Sequence, residues 1–209
     1  MFIPKPFSET DLARLDWLAA RDAFGTLVSI VGGAPFATQL PVIYRRDGER
    51  VVLLGHWSRM NAQHKSIEGQ RALFIFHGPH AYISPGWYVE PKKYVPTWDY
   101  ATAHLYGQVS VFHEPERLEG IVSALTSVYE AGQKKPWTFE SAAGAAARLN
   151  EIVGFELVVD EVQLKFKLNQ NHSEGNVRGA IAALSSGPDA DAQEIAQLME
   201  QQLSLRKSP

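Results

Sequence analysis

The pattern of apolar and polar positions predicts a protein built mainly of antiparallel strands. Between residues 24 and 56, apolar runs are separated by Gly32-Gly33 and Asp47-Gly48. Both pairs supply the positive φ angles that a tight hairpin needs. The predicted strands of this region span residues 24–31, 35–44 and 50–56. Pro41 has no N–H for a sheet, so the second strand is expected to have an edge or a bulge there.

Two later regions continue the strand pattern. Residues 71–111 contain three β-branched and aromatic runs around a long loop between Pro85 and Trp98. Residues 155–168 alternate with a period of two, and the phase slips at Asp160-Glu161, which predicts two strands or one bulged strand. Helices are predicted over residues 9–22, 114–132, 139–152, 177–184 and 189–203.

Hairpins, a long β-segment and added helices favour a mainly β fold with α elements, an antiparallel barrel rather than a doubly wound sheet. Residues 1–184 are expected to form this domain, and residues 185–209 a linker and helix appended to it.

Composition narrows the possible functions. The 209 residues are 45% hydrophobic, carry a net charge of −3 and include no cysteine. The absence of cysteine excludes disulfides, thiolate catalysis and cysteine-ligated metals. The sequence shows no secretory h-region and no apolar run near 20 residues, so a cytoplasmic protein without a membrane span is expected. Without a basic excess, direct DNA binding by this chain alone is not expected.

Two segments carry candidate chemistry. After the third strand, Ser58-Arg59-Met60-Asn61 leads into a predicted helix start, where backbone N–H groups and a guanidinium suit a phosphate. The alternative is that Ser58 or Asn61 only caps the helix. The aromatic loop between Pro85 and Trp98 suits a flat ligand or an interface.

Other polar residues have simpler interpretations. His77 and His80 flank a Gly-Pro turn and have no third ligand at a suitable spacing, so no metal site is expected. Lys165 and Lys167 occupy the polar phase of the last strand, for which a solvated face is the commoner interpretation.

Several motifs resemble the PaiB family, described as FMN-binding negative transcriptional regulators. They are MFIPKPF, FGTLVS, ATQLPV, GHWSRMNAQ, GPHAYISPGWY, VPTWDYATAHLYG and KLNQNHSEGNVRG. The resemblance runs nearly end to end and weakens after about Leu184. It implies a split β-barrel like that of the pyridoxamine-phosphate oxidase group, in which FMN lies between the two subunits of a homodimer.

The resemblance also implies roles for individual residues. Those expected to border the isoalloxazine are Thr38, Gln39, Leu40 and Pro41, and those near the ribityl chain are Gly55 and His56. Those expected at the phosphate are Ser58, Arg59 and Asn61. Those expected to shape the pocket are His80, Tyr82 and Trp98. Those expected to approach it from the last strand, of the same or the partner subunit, are Lys167, Gln170 and Asn171. The oxidases have two basic residues after the serine. Met60 replaces the second here, so weaker binding of the phosphate is expected.

Three functional hypotheses remain open at this stage. The first is an FMN-binding dimer with a regulatory output, direct or indirect, since no helix-turn-helix, basic arm or zinc finger is visible. The second is an FMN-dependent oxidoreductase acting on a small molecule. The third is a split-barrel protein that binds haem or no cofactor.

Overall fold

The computed structural model describes residues 1–207 as eight strands and five helices. The strands are β1 (Ser8–Glu9), β2 (Phe24–Val31), β3 (Ala34–Pro41), β4 (Ile43–Asp47), β5 (Arg50–Ser58), β6 (Arg71–Ile83), β7 (Thr97–Phe112) and β8 (Ile152–Lys167). The helices are α1 (Leu12–Arg21), α2 (Pro115–Glu130), α3 (Ala145–Arg148), α4 (Glu174–Ser186) and α5 (Ala190–Lys207).

The chain divides into two compact units. Unit 1 comprises Met1–Leu18, His77–Ala103 and Gln163–Pro209, and unit 2 comprises Ala19–Phe76 and His104–Val162. The long strands β6, β7 and β8 each contribute one part to each unit.

Unit 2 contains an antiparallel sheet in the order β3-β2-β6-β7-β8-β5-β4. The Gly32-Gly33 turn, with φ angles of 60° and 84°, joins β2 to β3 in the register Phe24 to Pro41. One face of the sheet packs against α2. The buried residues of this packing are Leu54, Phe112, Leu118, Ile121, Leu125, Phe139 and Leu149.

Unit 1 contains the remaining parts of β6, β7 and β8, with β1 paired to β8 through Ser8 and Lys165. Its helices are α4, α5 and the part of α1 up to Leu18, and α4 packs against α5. Leu15, Ala180 and Ile195 are completely buried in this unit. Among the described residues, no helix combines the length and the apolar character needed to cross a membrane.

The predicted helix over residues 139–152 is wrong. This segment forms two 3₁₀ turns around the four-residue helix α3, and Ile152 already begins β8. Gly144 has a φ of 71°, a left-handed conformation that interrupts a right-handed helix. Phe139 and Leu149 are nevertheless buried under α2, so packing rather than helix propensity determines this segment.

The phase slip at Asp160-Glu161 lies within one continuous strand, β8. Of the two predicted alternatives, the structure therefore has one strand rather than two. Both carboxylates contact the Arg71 guanidinium, at 2.8 Å and 2.6 Å. Adjacent side chains of a regular strand point to opposite faces, so this shared partner marks a local irregularity. The predicted second strand is also interrupted, because Val42 leaves the ladder after Pro41 and donates its N–H to Ala23.

Candidate functional site

A buried glutamine joins the β2–β3 hairpin to the turn that follows β5. The Gln63 side chain is fully buried, and its Oε1 accepts a hydrogen bond from Trp57 Nε1 at 3.1 Å. Its Nε2 donates to Ser29 Oγ at 3.0 Å and to the carbonyl oxygens of Leu27 and Phe36. An apolar pattern gives no signal for such a residue, and sequence analysis missed it. The network fixes the turn against the hairpin.

The structure brings Thr38 and Asn61 together. Asn61 Nδ2 donates to Thr38 Oγ1 at 3.0 Å, while Asn61 Oδ1 accepts the Gln63 N–H at 2.9 Å. Gln39 and Pro41 lie on the opposite face of β3, because successive strand residues alternate, and Leu40 is only 4% exposed. The segment from Thr38 to Pro41 therefore does not present four side chains to one ligand surface.

The expected helix start after β5 is wrong in its details. Only a 3₁₀ turn, Ala62–Lys65, follows, and Asn61 is its capping residue. The Met60 N–H donates to Ser58 Oγ at 3.3 Å, and the Asn61 N–H donates to the Ser58 carbonyl at 2.9 Å. These two N–H groups are already used by the turn, so they are not free to bind an anion.

Arg59 is held in place by the start of β8. Its Nε donates to the Asn150 carbonyl at 2.6 Å, and its Nη2 donates to the Ile152 carbonyl at 3.2 Å. A guanidinium has five N–H donors, so three remain after these bonds among the described residues. Carbonyl oxygens do not neutralise the positive charge. The result is an oriented cation on the surface of unit 2, next in sequence to the exposed Ser58.

His56 and Pro41 meet at a cavity of ≈ 330 Å³ beside α2. Its other lining residues are Val122, Leu125, Thr126, Tyr129, Glu130 and Trp137. Burial lowers the pKa of His56, and its Nδ1 has no partner among the described residues. A neutral imidazole with an unused ring nitrogen can accept or donate one hydrogen bond to a ligand.

Gly55 has a packing role. A Cβ there would lie 2.6 Å from the Phe155 ring, whose centroid is 4.6 Å from that of Trp57 with the planes tilted by 37°. The glycine lets this aromatic pair pack against β5, whatever ligand the neighbouring residues contact.

In unit 1, His80, Tyr82 and Trp98 line one cavity of ≈ 360 Å³. The Tyr82 and Trp98 rings are 5.9 Å apart and nearly perpendicular, and His80 lies 6.0 Å from Trp98. These three predicted residues therefore do lie together, on the parts of β6 and β7 that belong to unit 1.

Lys167 is partly buried and directed to the first residues of β7. Its ammonium donates to Thr97 Oγ1 and to the Trp98 carbonyl at 2.5 Å, and lies 3.4 Å from Asp99 Oδ1. Lys165 is only 8% exposed and donates to the Phe2 carbonyl at 3.2 Å. The solvated face expected for these lysines is wrong, because the N-terminal segment and β7 cover this part of β8.

Gln170 and Asn171 belong to the turn that ends β8. The turn passes through Asn169 at a φ of 58°. Gln170 Oε1 accepts the Leu168 N–H at 2.6 Å, and its Nε2 donates to the Phe166 carbonyl. Gln170 therefore stabilises its own turn, and Asn171 is an exposed residue of the same turn.

Sequence analysis did not identify Asp99 as a special residue. It is completely buried, and its charged neighbour is the Lys167 ammonium, 3.4 Å from Oδ1. Burial raises its pKa from 3.8 to about 6, although the neighbouring Lys167 partly opposes this. A buried carboxylate in this state costs stability at neutral pH.

We expect Asp99→Asn to stabilise the protein above pH 7. The folded-state pKa is raised, so Asp99 favours folding at low pH, and this contribution is lost as the pH rises through about 6. About two pKa units correspond to about 3 kcal/mol. Urea unfolding should therefore show the variant more stable than wild type at pH 8 and similar to it at pH 4.

The exposed Asp47→Asn, which makes the same charge change on β4, serves as the control, because it removes no buried carboxylate. Equal stabilities of Asp99→Asn and wild type at pH 8 would contradict the assigned burial cost.

No group of three or more His, Asp or Glu within residues 1–207 is placed to hold a metal ion.

Comparison with known proteins places these features in a family. Residues 1–161 match the family described as "Putative FMN-binding domain". The chain is also 34% identical over 206 residues to "Protease synthase and sporulation protein PAI 2" of Bacillus subtilis, covering 97% of this chain and 98% of that protein. The chain belongs to the PaiB family of FMN-binding-domain proteins. The predicted membership of the PaiB family is thus confirmed, and so is FMN as the cofactor that this family's domain binds.

Solved structures support the fold. The FAD and haem binding protein from Mycobacterium smegmatis gives a TM-score of 0.59 at 19% identity, over 82% of this chain and 78% of that one. The flavocytochrome Anf3 from Azotobacter vinelandii gives 0.60 at 14% identity, over 77% of this chain and 69% of that one. The predicted split barrel with peripheral helices is confirmed.

Proposed function

We propose that this PaiB-family chain is an FMN-binding homodimer in which Arg59 holds the flavin phosphate. The observation that carries the proposal is the Arg59 guanidinium, fixed by two backbone carbonyls and retaining three N–H donors. A planar, pre-oriented guanidinium matches two phosphate oxygens at once and loses little conformational freedom on binding.

The neighbouring side chains suit the rest of such a ligand. The Ser58 hydroxyl can donate to a phosphate oxygen, and the linked Thr38 and Asn61 offer hydroxyl and amide groups to a polyol. Bound FMN would supply one- or two-electron redox chemistry. The chain's own contribution is to bind and orient the ligand, and His56 lines the nearby cavity of unit 2.

Lys167 and Gln170 are left out of the proposed flavin contacts. The Lys167 ammonium is engaged by Thr97, Trp98 and Asp99, and the Gln170 amide is engaged by its own turn. A flavin contact by either residue would have to break these bonds first.

The absorption spectrum of the purified, desalted protein after incubation with FMN tests the proposal. Flavin bands that remain with the protein are the expected result. A Soret band would favour the haem hypothesis, and a featureless spectrum would contradict flavin binding. Turnover of NADH or NADPH by the loaded protein would favour the oxidoreductase hypothesis over a regulatory one.

The homodimer rests on the outer face of the β2–β3 hairpin. Alternation places Phe24, Val28 and Ile30 on this face, opposite Pro41, Ala37 and Pro35 of β3. The pair Thr26 and Gln39 is the polar part of an otherwise apolar face. Ile30 is 47% exposed and Phe24 is 48% exposed. An apolar sheet face of this kind favours association with another protein surface.

We expect wild-type protein to scatter light as a dimer at micromolar concentration and Ile30→Glu to scatter as a monomer, because the carboxylate would be buried at the interface. Val128→Glu on α2 is the matched control, since it adds the same charge at an exposed apolar position on a helix rather than on the hairpin. A monomeric wild type would contradict the proposal.

The proposed regulatory output is indirect, through a ligand or a partner protein, because the chain has a net charge of −3. Sequence-specific footprinting by the pure protein at physiological salt would overturn this part of the proposal.

A further inference from the structure

The cavity of unit 1 has a chemistry of its own. On one side it is lined by the parts of β6 and β7 that belong to unit 1, and on the other by the connection from α4 to α5. Its volume is ≈ 360 Å³. Its chemically distinctive lining residues are His80, Tyr82, Trp87, Trp98 and Asp189. The remaining lining is small or aliphatic, including Ala183 and Leu184, so the rings dominate the walls.

The aromatic rings leave much of their surface uncovered. Trp98 is 53% exposed and Tyr82 is 45% exposed, although both belong to long strands of a well-packed unit. The Tyr82 and Trp98 planes meet at 74°, so the two rings form a corner rather than a stack. Both rings line the cavity together with Trp87, so a compact ligand there meets more than one ring.

The charge at the cavity is negative. Asp189 lines it, and Asp191 Oδ2 lies 3.2 Å from Nδ1 of the lining His80. Asp189 Oδ1 accepts the N–H groups of Asp191 and Ala192, which fixes the carboxylate at the start of α5. No lysine or arginine is among the described residues that line the cavity. The Lys167 ammonium contacts the backbone carbonyl of Trp98, not its ring, and it is also held by Thr97 Oγ1 and Asp99.

We propose that this cavity binds a small organic cation, an alkylated ammonium. The negative face of an aromatic ring attracts a cation, and tryptophan attracts it most strongly. The carboxylates add attraction for a positive charge and oppose an anion such as the FMN phosphate. The site is therefore independent of the proposed flavin contacts of unit 2, and its test does not depend on them.

The experiment compares choline with its neutral isostere 3,3-dimethylbutan-1-ol by isothermal titration calorimetry on the full chain. The two probes have the same shape, and a carbon replaces the charged nitrogen in the alcohol. We expect choline to bind at least about tenfold more tightly, because both the rings and the carboxylates act on its charge. Equal affinities, or no binding of choline, would overturn the proposal.

Two variants locate the binding. Trp98→Leu should reduce choline affinity about tenfold, and Trp98→Phe, which keeps an aromatic face, should reduce it less. Trp137→Leu is the matched control, because Trp137 is a similarly exposed tryptophan of unit 2. If Trp98→Leu binds choline as wild type does while remaining folded by circular dichroism, the cavity is not the site.

Discussion

Replacing Arg59 with alanine is expected to weaken FMN binding by about one to two orders of magnitude while leaving riboflavin binding almost unchanged. Riboflavin has no phosphate, so it should not use the guanidinium. A charge-assisted bond to a phosphate contributes roughly 1.5–3 kcal/mol, which corresponds to this range of affinity. Flavin fluorescence titration of both ligands against wild type and variant measures the difference.

The structure adds a reason to include a second variant. Arg59 also donates to the carbonyls of Asn150 and Ile152, so alanine removes a support for the start of β8. Arg59→Lys keeps the charge but cannot form both carbonyl bonds and a bidentate phosphate contact. We expect it to lie between wild type and alanine for FMN. Equal losses for FMN and riboflavin would show that Arg59 acts only through the fold.

Substitution of Gly179 by alanine in α4 is expected to destabilise the protein by about 1–3 kcal/mol. A Cβ at this position would lie 1.9 Å from the Trp87 carbonyl oxygen, a backbone atom of the turn that packs against the helix. Helix propensity alone predicts the opposite sign, a gain of about 1 kcal/mol. The contact should dominate, because the turn must shift for the methyl group to fit.

Gly120→Ala in α2 is the matched control, since a Cβ there has no atom within 4 Å. It should stabilise the protein by about 1 kcal/mol. Urea unfolding of both variants measures the two signs. A stabilised Gly179→Ala would contradict the close packing of α4 on the turn, and with it the position of Trp87 at the cavity of unit 1.

Local sequence patterns were sufficient to predict the first strands of the fold. Period-two alternation and two glycine turns predict β2 and both hairpins, because hairpin pairing is local in sequence. The segment around α3 could not be predicted in this way. Its alanine-rich composition favours a helix, but the left-handed Gly144 and the burial of Phe139 and Leu149 against α2 depend on tertiary contacts.

At the candidate site, too, local sequence patterns predicted only part of the structure. The motif containing Ser58, Arg59 and Asn61 was predictable from its residue types, and Thr38 does meet Asn61. The carbonyl contacts of Arg59 were not predictable, because they join residues about 90 positions apart. The burial of Asp99 was also missed, because its neighbour Lys167 lies on β8, far along the chain from β7.

The relative affinity of FMN and riboflavin for the wild-type protein tests the central proposal most directly. The two ligands share the isoalloxazine and the ribityl chain, so their difference isolates the phosphate. If Arg59 and Ser58 hold the phosphate, FMN should bind at least about tenfold more tightly than riboflavin. Equal affinities, or binding of neither flavin, would contradict it.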